Sequence, residues 1–274
     1  MEIQWFRSEL KSKAKQCLKQ YYWKAFLVTL IVALLGGGGG ISGSFSAGRS
    51  TSNVETEMNE EMGEDFSGTL PGMELDEEHA AFLTVLVMVL LVVFVITFVI
   101  TVIFITFVGN PVAVGGKRFF MESRAFMKSA GVGRVFWAFG EGRYLNVVKT
   151  MFLRALFVNL WSLLLIIPGI IKAYQYYMVP YILSENPDMN YKEVLQLSKE
   201  MMAGHKWNTF VLELSFWGWQ LLGVMLCGIG VLFVHPYVEA TFAELYAVLR
   251  QKAVGSSLRG FGEPEVYDKA ISDF

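Results

Sequence analysis

Seven ionisable residues lie within or beside stretches of this sequence that are otherwise apolar. They are Arg154, Lys172, Glu185, Glu213, His235, Glu239 and Glu244. An Asp, Arg or Lys at the centre of a membrane helix costs at least ~2.5–3.5 kcal/mol, so each such residue needs a physical reason to be there. Arg154 and Lys172 are long enough to extend their charges toward water, and Glu185 is expected near a cytoplasmic helix end.

The remaining four residues predict a polar centre inside the membrane. His235 and Glu239 are four positions apart and share a helix face if Pro236 begins that helix. Glu213 is expected about two turns into the membrane, whereas Glu244 is rotated partly away from Glu239. One hypothesis is that Glu213, with His235 or Glu239, binds a proton, a cation or a lipid headgroup. The alternative is a set of interhelical hydrogen bonds, worth about 0.6 kcal/mol each.

Motifs for hydrolysis or metal binding are absent from the sequence. It contains no HExxH, no GxSxG and no zinc-type Cys/His spacing, and its three histidines are His79, His205 and His235. The five glycines at 36–40 are not followed by the Gly-Lys-Ser/Thr of a phosphate loop. We therefore expect no catalytic residue, no cofactor and no metal, in a protein that is not an enzyme.

Basic residues at two places predict contact with a membrane surface. Lys11, Lys15 and Lys19 belong to an amphipathic segment at 2–20, and Lys199 belongs to a similar one at 187–205. Such helices are expected on the inner leaflet, attracted by roughly 1 kcal/mol per basic residue near the surface. The expected partners are membrane lipids, with a membrane protein or a second copy of this chain as alternatives. Nucleic acid is not expected, because the positive-inside rule explains the basic residues.

The element that must position these side chains is a helix at 80–108, a run of 29 residues without any charge. Such a run predicts a transmembrane helix, and the whole chain is 54% hydrophobic with a mean hydropathy of +0.43. The predicted fold is all-α and polytopic, with about six transmembrane helices. The predicted spans are 24–41, 80–108, 145–167, 170–183, 207–233 and 237–249. The fourth and sixth are short enough to be half-helices.

Charge is segregated along the chain and predicts its orientation. Residues 41–78 carry a net charge of −9, so the rest of the chain carries +7. Basic residues follow the second span, which places that end in the cytoplasm. We therefore expect a bacterial cytoplasmic membrane protein with both termini inside. Residues 1–254 form one transmembrane domain with an acidic extracytoplasmic loop at 42–79, and 255–274 form a loose cytoplasmic tail.

The sequence also predicts an internal repeat of three units, each a surface helix followed by a helical hairpin. Aligning Trp23 with Trp207 places Lys15 on Lys199, and Tyr144 serves as a third anchor. Each hairpin contains a similar proline element. These elements begin at Asn110-Pro111, Val179-Pro180 and His235-Pro236.

Several stretches resemble a known family. The strings are RSELKSKAKQCLKQYYWKAFLVTLI, PGIIKAYQYYMVPYILSENPDM, LSKEMMAGHKWNTFVLELSFWGW and FVHPYVEATFAELY. They look like the bacterial integral membrane proteins of domain of unknown function 975, and more remotely like the membrane domain of some glycerophosphodiester phosphodiesterases. The resemblance implies a bacterial multi-span membrane protein and supplies no catalytic residue.

Three function classes follow from these observations. The first, which we favour, is a non-enzymatic membrane protein that organises lipid or partner proteins through its basic helices. The second is a small transporter or channel subunit that uses the polar centre, since broken spans in repeated units are typical of transporters. The third, an intramembrane hydrolase, lacks the motifs that such chemistry requires.

Overall fold

A computed structural model describes residues 5–36, 77–140, 142–225 and 229–255, apart from the side chains of 77–81, 229, 254 and 255. Every regular element in these ranges is a helix, which confirms the all-α class. The α-helices are α1 (Arg7–Leu35), α2 (Glu77–Phe104), α3 (Asn110–Ala125), α4 (Tyr144–Leu164), α5 (Ile166–Gln175), α6 (Val179–Glu185), α7 (Tyr191–Met201), α8 (Lys206–Met225) and α9 (Ile229–Gly255). Most of the predicted acidic loop, 42–76, and the predicted tail from 256 onward lie outside the described residues.

Three helices in the described ranges are long and apolar enough to cross a membrane. They are Arg7–Leu35, Phe82–Ala125 and Tyr144–Leu164. These helices support the assignment as a membrane protein. The six spans and the three repeated units stay predictions.

The chain divides into two compact units. Residues 45–103 form one unit. The part of this unit that the structure describes is residues 77–103 of α2, and the side chains from Phe82 onward are exposed. Residues 1–44 and 104–274 form the other unit, which holds the hydrophobic core. In that unit α1 packs against α9, α3 packs against α6 and α9, and α8 packs against α9. Large core side chains include Leu10, Phe119, Tyr181, Val194, Leu212 and Tyr246.

The described parts of the predicted surface helix at 2–20 and of the predicted first span at 24–41 meet in one helix, α1 (Arg7–Leu35). Its backbone leaves helical geometry at Tyr21, with φ −139° and ψ 23°. Leu10, Ala14 and Leu18 on the apolar side of its first half are buried in the core. The kink lies between the predicted surface helix and the predicted span, and the apolar side of the first half faces the protein interior.

Proline 111 does not end the second helix, contrary to the predicted boundary at residue 108. A π-helical turn at Ile105–Gly109 precedes it, and the helical run continues to Ala125. A proline inside a helix removes one N–H and clashes with the carbonyl four residues earlier. A π-helical turn locally widens the helix, which lets the chain pass Pro111 without stopping.

The predicted third and fourth spans also differ in their boundaries. The predicted third span corresponds to α4, which ends at Leu164. Proline disrupts a helix interior but is tolerated in a first turn, and Pro168 lies in the first turn of α5. The predicted fourth span is two short helices, α5 and α6, separated at residues 176–178. The predicted sixth span is part of α9, which begins at Ile229 and contains Pro236 in its interior.

Near each of the three repeated prolines, a side chain from another helix hydrogen bonds to a main-chain carbonyl. Tyr144 donates its hydroxyl to Phe107 O at 2.8 Å, four residues before Pro111. Arg154 donates Nε to Tyr176 O at 2.9 Å, four residues before Pro180. Tyr22 donates to Phe233 O at 2.9 Å, three residues before Pro236. At Phe107 the bond supplies a donor to the carbonyl that would otherwise pair with the N–H that Pro111 lacks.

The burial pattern agrees with the predicted alignment of Trp23 on Trp207. Under that shift, buried positions of α1 fall on buried positions of α7, α8 and the turn between them. The pairs are Leu10/Val194, Ala14/Ser198, Cys17/Met201, Leu18/Met202, Ala25/Thr209, Val28/Leu212 and Val32/Phe216. The kink at Tyr21 falls on the turn between α7 and α8. The third anchor, Tyr144, fits this burial pattern poorly, so the full repeat stays a prediction.

Candidate functional site

Four glutamates in the described chain lie in the protein interior, each beside a cation. Glu122 is on α3, Glu185 ends α6, and Glu239 and Glu244 are on α9. Their side chains are between 4% and 11% exposed. A buried carboxylate keeps its charge only where cations or hydrogen bonds replace water. We call this group of ion pairs the charged core.

In the charged core, Glu239 is held between two helices. Lys117 Nζ on α3 lies 2.5 Å from Glu239 Oε2, and His235 Nε2 lies 3.8 Å from Glu239 Oε1. The same lysine stands over the ring of Tyr181 on α6, 5.0 Å from its centroid. The predicted pairing of His235 with Glu239 on one helix face is therefore present, with Lys117 as the closer partner.

Glu122 joins α3 to the short 3₁₀ helix at Val132–Phe139. Arg118 Nε and Arg134 Nε each lie 2.8 Å from one of its carboxylate oxygens. Arg118 also donates Nη1 to Ser184 O at 2.8 Å and lies 3.8 Å from the ring centroid of Trp137. One guanidinium thus connects α3, α6 and the 3₁₀ helix.

The other two glutamates complete the charged core. Arg124 Nε lies 2.8 Å from Glu244 Oε2, and Cys17 Sγ of α1 is 3.9 Å from the other oxygen. Arg250 Nε lies 2.6 Å from Glu185 Oε1, and the Tyr246 hydroxyl donates to Glu185 Oε2 at 2.7 Å. Glu244 therefore has a partner of its own and does not join the group around Glu239.

Glu213 lies apart from the charged core. The Tyr174 hydroxyl of α5 donates to Glu213 Oε2 at 2.6 Å. Tyr174 stacks on Tyr177, whose ring contacts Phe242 of α9. This bond joins Glu213 to α5, whereas Glu239 and Glu244 pair with cations of α3. Of the four predicted members of the polar centre, the structure brings together His235 and Glu239.

The sequence missed most of the cations in the charged core. Lys117, Arg118 and Arg124 follow the predicted second span, and from the sequence they predict only the orientation of that span. The four-residue spacings of Arg118 with Glu122 and of His235 with Glu239 are the local signals for these pairs. The others depend on contacts between distant segments, such as Lys117 with Glu239.

The chemistry that this arrangement supports is charge neutralisation between helices. Removing one partner of a buried pair leaves an uncompensated charge, at a cost of about 3–5 kcal/mol. The pairs of Lys117, Arg118 and Arg124 therefore fix how α3 packs against its neighbours. Among the described residues, no group of three or more His, Cys, Asp or Glu side chains is arranged to hold a metal ion.

The predicted surface lysines lie outside the charged core. Lys15, Lys19 and Lys199 are exposed, and Lys11 is half-buried. Lys11 stands 4.3 Å from the ring centroid of Phe216, and Lys15 stands 5.6 Å from that of Tyr237. Lys11 and Lys15 therefore lie beside aromatic rings of α8 and α9, and Lys15 and Lys19 are exposed.

Comparison with known proteins gives one positive result. No curated protein and no solved structure matches the chain. One family model matches residues 73–253, a range that covers α2 through nearly all of α9 and leaves α1 outside. The chain belongs to the family described as protein of unknown function (DUF975).

Proposed function

We propose that this chain is a bacterial cytoplasmic membrane protein that acts without catalysis, by holding anionic lipid or a partner protein at the inner membrane surface. The observation that carries the proposal is the contrast between its two sets of cations. Interior cations such as Lys117 and Arg124 are neutralised by glutamates, whereas Lys15, Lys19 and Lys199 are exposed. Exposed lysines near a bilayer attract anionic headgroups.

The lipid contact proposed here is electrostatic. The apolar residues on the first half of α1 are buried in the protein core, so they are not available for acyl chains. Its lysines remain, each contributing about 1 kcal/mol near an anionic surface. We also propose six membrane crossings, with α5 and α6 together forming one crossing, since 10 and 7 residues are each too short for a core of about 30 Å.

Purification in native lipid discs, with mass spectrometry of what co-purifies, tests this proposal. We expect enrichment of anionic phospholipid or a stoichiometric partner protein. A triple variant with Lys15, Lys19 and Lys199 changed to glutamine should lose that enrichment. Matched changes at the exposed Lys149 and Lys192 serve as the control. A disc composition equal to that of the surrounding membrane, with no partner protein, would contradict the proposal.

A small transporter or channel subunit is the second candidate. It is favoured by the helix break at 176–178, by Pro236 inside α9 and by the carboxylate of Glu213 against Tyr174. Replacing Glu213 with glutamine keeps an acceptor for the Tyr174 hydroxyl but removes the titratable group. A stoichiometric small solute in the discs, and proton-coupled uptake lost in E213Q, would favour transport over our proposal.

A further inference from the structure

Two cations of the described chain differ from those of the charged core. Arg154 on α4 and Lys172 on α5 both lie in the hairpin that begins with the candidate span Tyr144–Leu164. Both side chains are half-buried. Neither lies within ion-pair distance of a carboxylate among the residues that the structure describes.

Arg154 and Lys172 both lie close to Tyr176. Arg154 uses Nε to bind Tyr176 O, which leaves the two terminal nitrogens of its guanidinium without a described protein acceptor. Lys172 Nζ lies 6.0 Å from the ring centroid of Tyr176 and 5.1 Å from that of Trp161. Aromatic rings stabilise an ammonium only partly, so both cations retain donors for an anion.

The surface around these cations is apolar and exposed. Leu160 is 59% exposed, Trp161 is 39% exposed and Ile171 is 45% exposed. An anion that carries hydrocarbon chains would therefore find both a charge partner and apolar surface on this hairpin. Inorganic phosphate would find only the charges.

We propose that Arg154 and Lys172 bind the phosphate group of an anionic membrane phospholipid at the α4–α5 hairpin. Arginine forms paired hydrogen bonds with phosphate oxygens, and lysine adds a second positive charge. A bound lipid would neutralise two charges on a hairpin that begins with a candidate membrane span, where an unpaired cation is costly. This inference rests on the proposed lipid-holding function and gives it a specific site, separate from the lysines of α1.

Native mass spectrometry of the delipidated full chain in detergent, titrated with phosphatidylglycerol, tests the proposal. We expect one tightly bound lipid per chain in the unchanged protein. R154Q and K172Q should each weaken it about tenfold to hundredfold, as expected for a lost charge-assisted hydrogen bond. R154K, which keeps the charge and loses the paired geometry, should show an intermediate loss.

The matched control is K149Q, which removes an exposed lysine of α4 that stands over Tyr191 instead of Tyr176. Equal weakening by K149Q, or unchanged affinity in both R154Q and K172Q, would overturn the proposal. Displacement of the lipid by millimolar inorganic phosphate would overturn a phospholipid as the ligand. Thermal unfolding in detergent checks folding, and the glutamine of R154Q can still donate to Tyr176 O.

The outcomes also separate this site from the broader function. If the unchanged protein retains phosphatidylglycerol and the triple variant at Lys15, Lys19 and Lys199 loses it while R154Q does not, the hairpin site is wrong and the lipid-holding function stands. If the unchanged protein retains no anionic lipid, the hairpin site and the lipid-holding form of the proposed function are both wrong.

Discussion

At the scale of single residues, Arg118 and Arg134 offer a direct comparison, because both contact the same glutamate. Each lies 2.8 Å from Glu122, but the side chain of Arg118 is 10% exposed and that of Arg134 is 48% exposed. Arg118 has two further partners, Ser184 O and the Trp137 ring. A lysine cannot reproduce this set of contacts with one ammonium group.

We predict that R118K lowers the free energy of unfolding by about 2–4 kcal/mol, less than the ~3–5 kcal/mol expected for losing a buried charge. R134K should change it by less than ~1 kcal/mol, because an exposed pair is weakened by water. Thermal unfolding of both variants in the same detergent measures the difference. Equal effects of the two substitutions would mean that Arg118 acts as a surface charge.

At the scale of elements, Tyr144 and Pro111 are expected to depend on one another. The Tyr144 hydroxyl satisfies the Phe107 carbonyl, which lies four residues before Pro111. We predict that Y144F costs about 1 kcal/mol of stability, the net contribution of one hydrogen bond. In a P111A background the new main-chain N–H can bind that carbonyl, so Y144F should cost about 1 kcal/mol less. Unfolding midpoints of the four proteins test this, and identical costs in both backgrounds would contradict it.

The crossing of α8 and α9 provides a second test at this scale. A Cβ placed on Gly223 would lie 2.6 Å from Val231 N, whereas a Cβ on Gly218 would meet no atom within 4 Å. We predict that G223A destabilises the protein by about 1–3 kcal/mol, because the helix backbones must move apart. G218A on the same helix should be neutral or stabilising by up to ~1 kcal/mol through higher helix propensity. Thermal unfolding of both variants measures this contrast, and a stabilising G223A would exclude the close crossing.

At the scale of the whole molecule, the sequence predicted what depends on composition and missed what depends on distant contacts. The uncharged run at 80–108 and the spacing of apolar residues in α7 each indicate a helix from local sequence alone. Both helices were therefore predictable. The continuation of α2 past Pro111 depends on a π-helical turn and on Tyr144, far along the chain. The pairing of Lys117 with Glu239 likewise joins residues 122 positions apart, which no local pattern reveals.

The orientation in the membrane is the property of the whole chain that charge alone predicts. Residues 41–78 carry −9 and the remainder carries +7, and basic residues near span ends stay in the cytoplasm. In a chain with Cys17 and Cys227 changed to alanine, we predict that E60C reacts with a membrane-impermeant maleimide in intact cells. K13C, at an exposed position of α1, should react only after the cells are permeabilised. The reverse labelling pattern would place the lysines of α1 outside the cell, away from the inner leaflet, and would contradict the proposed function.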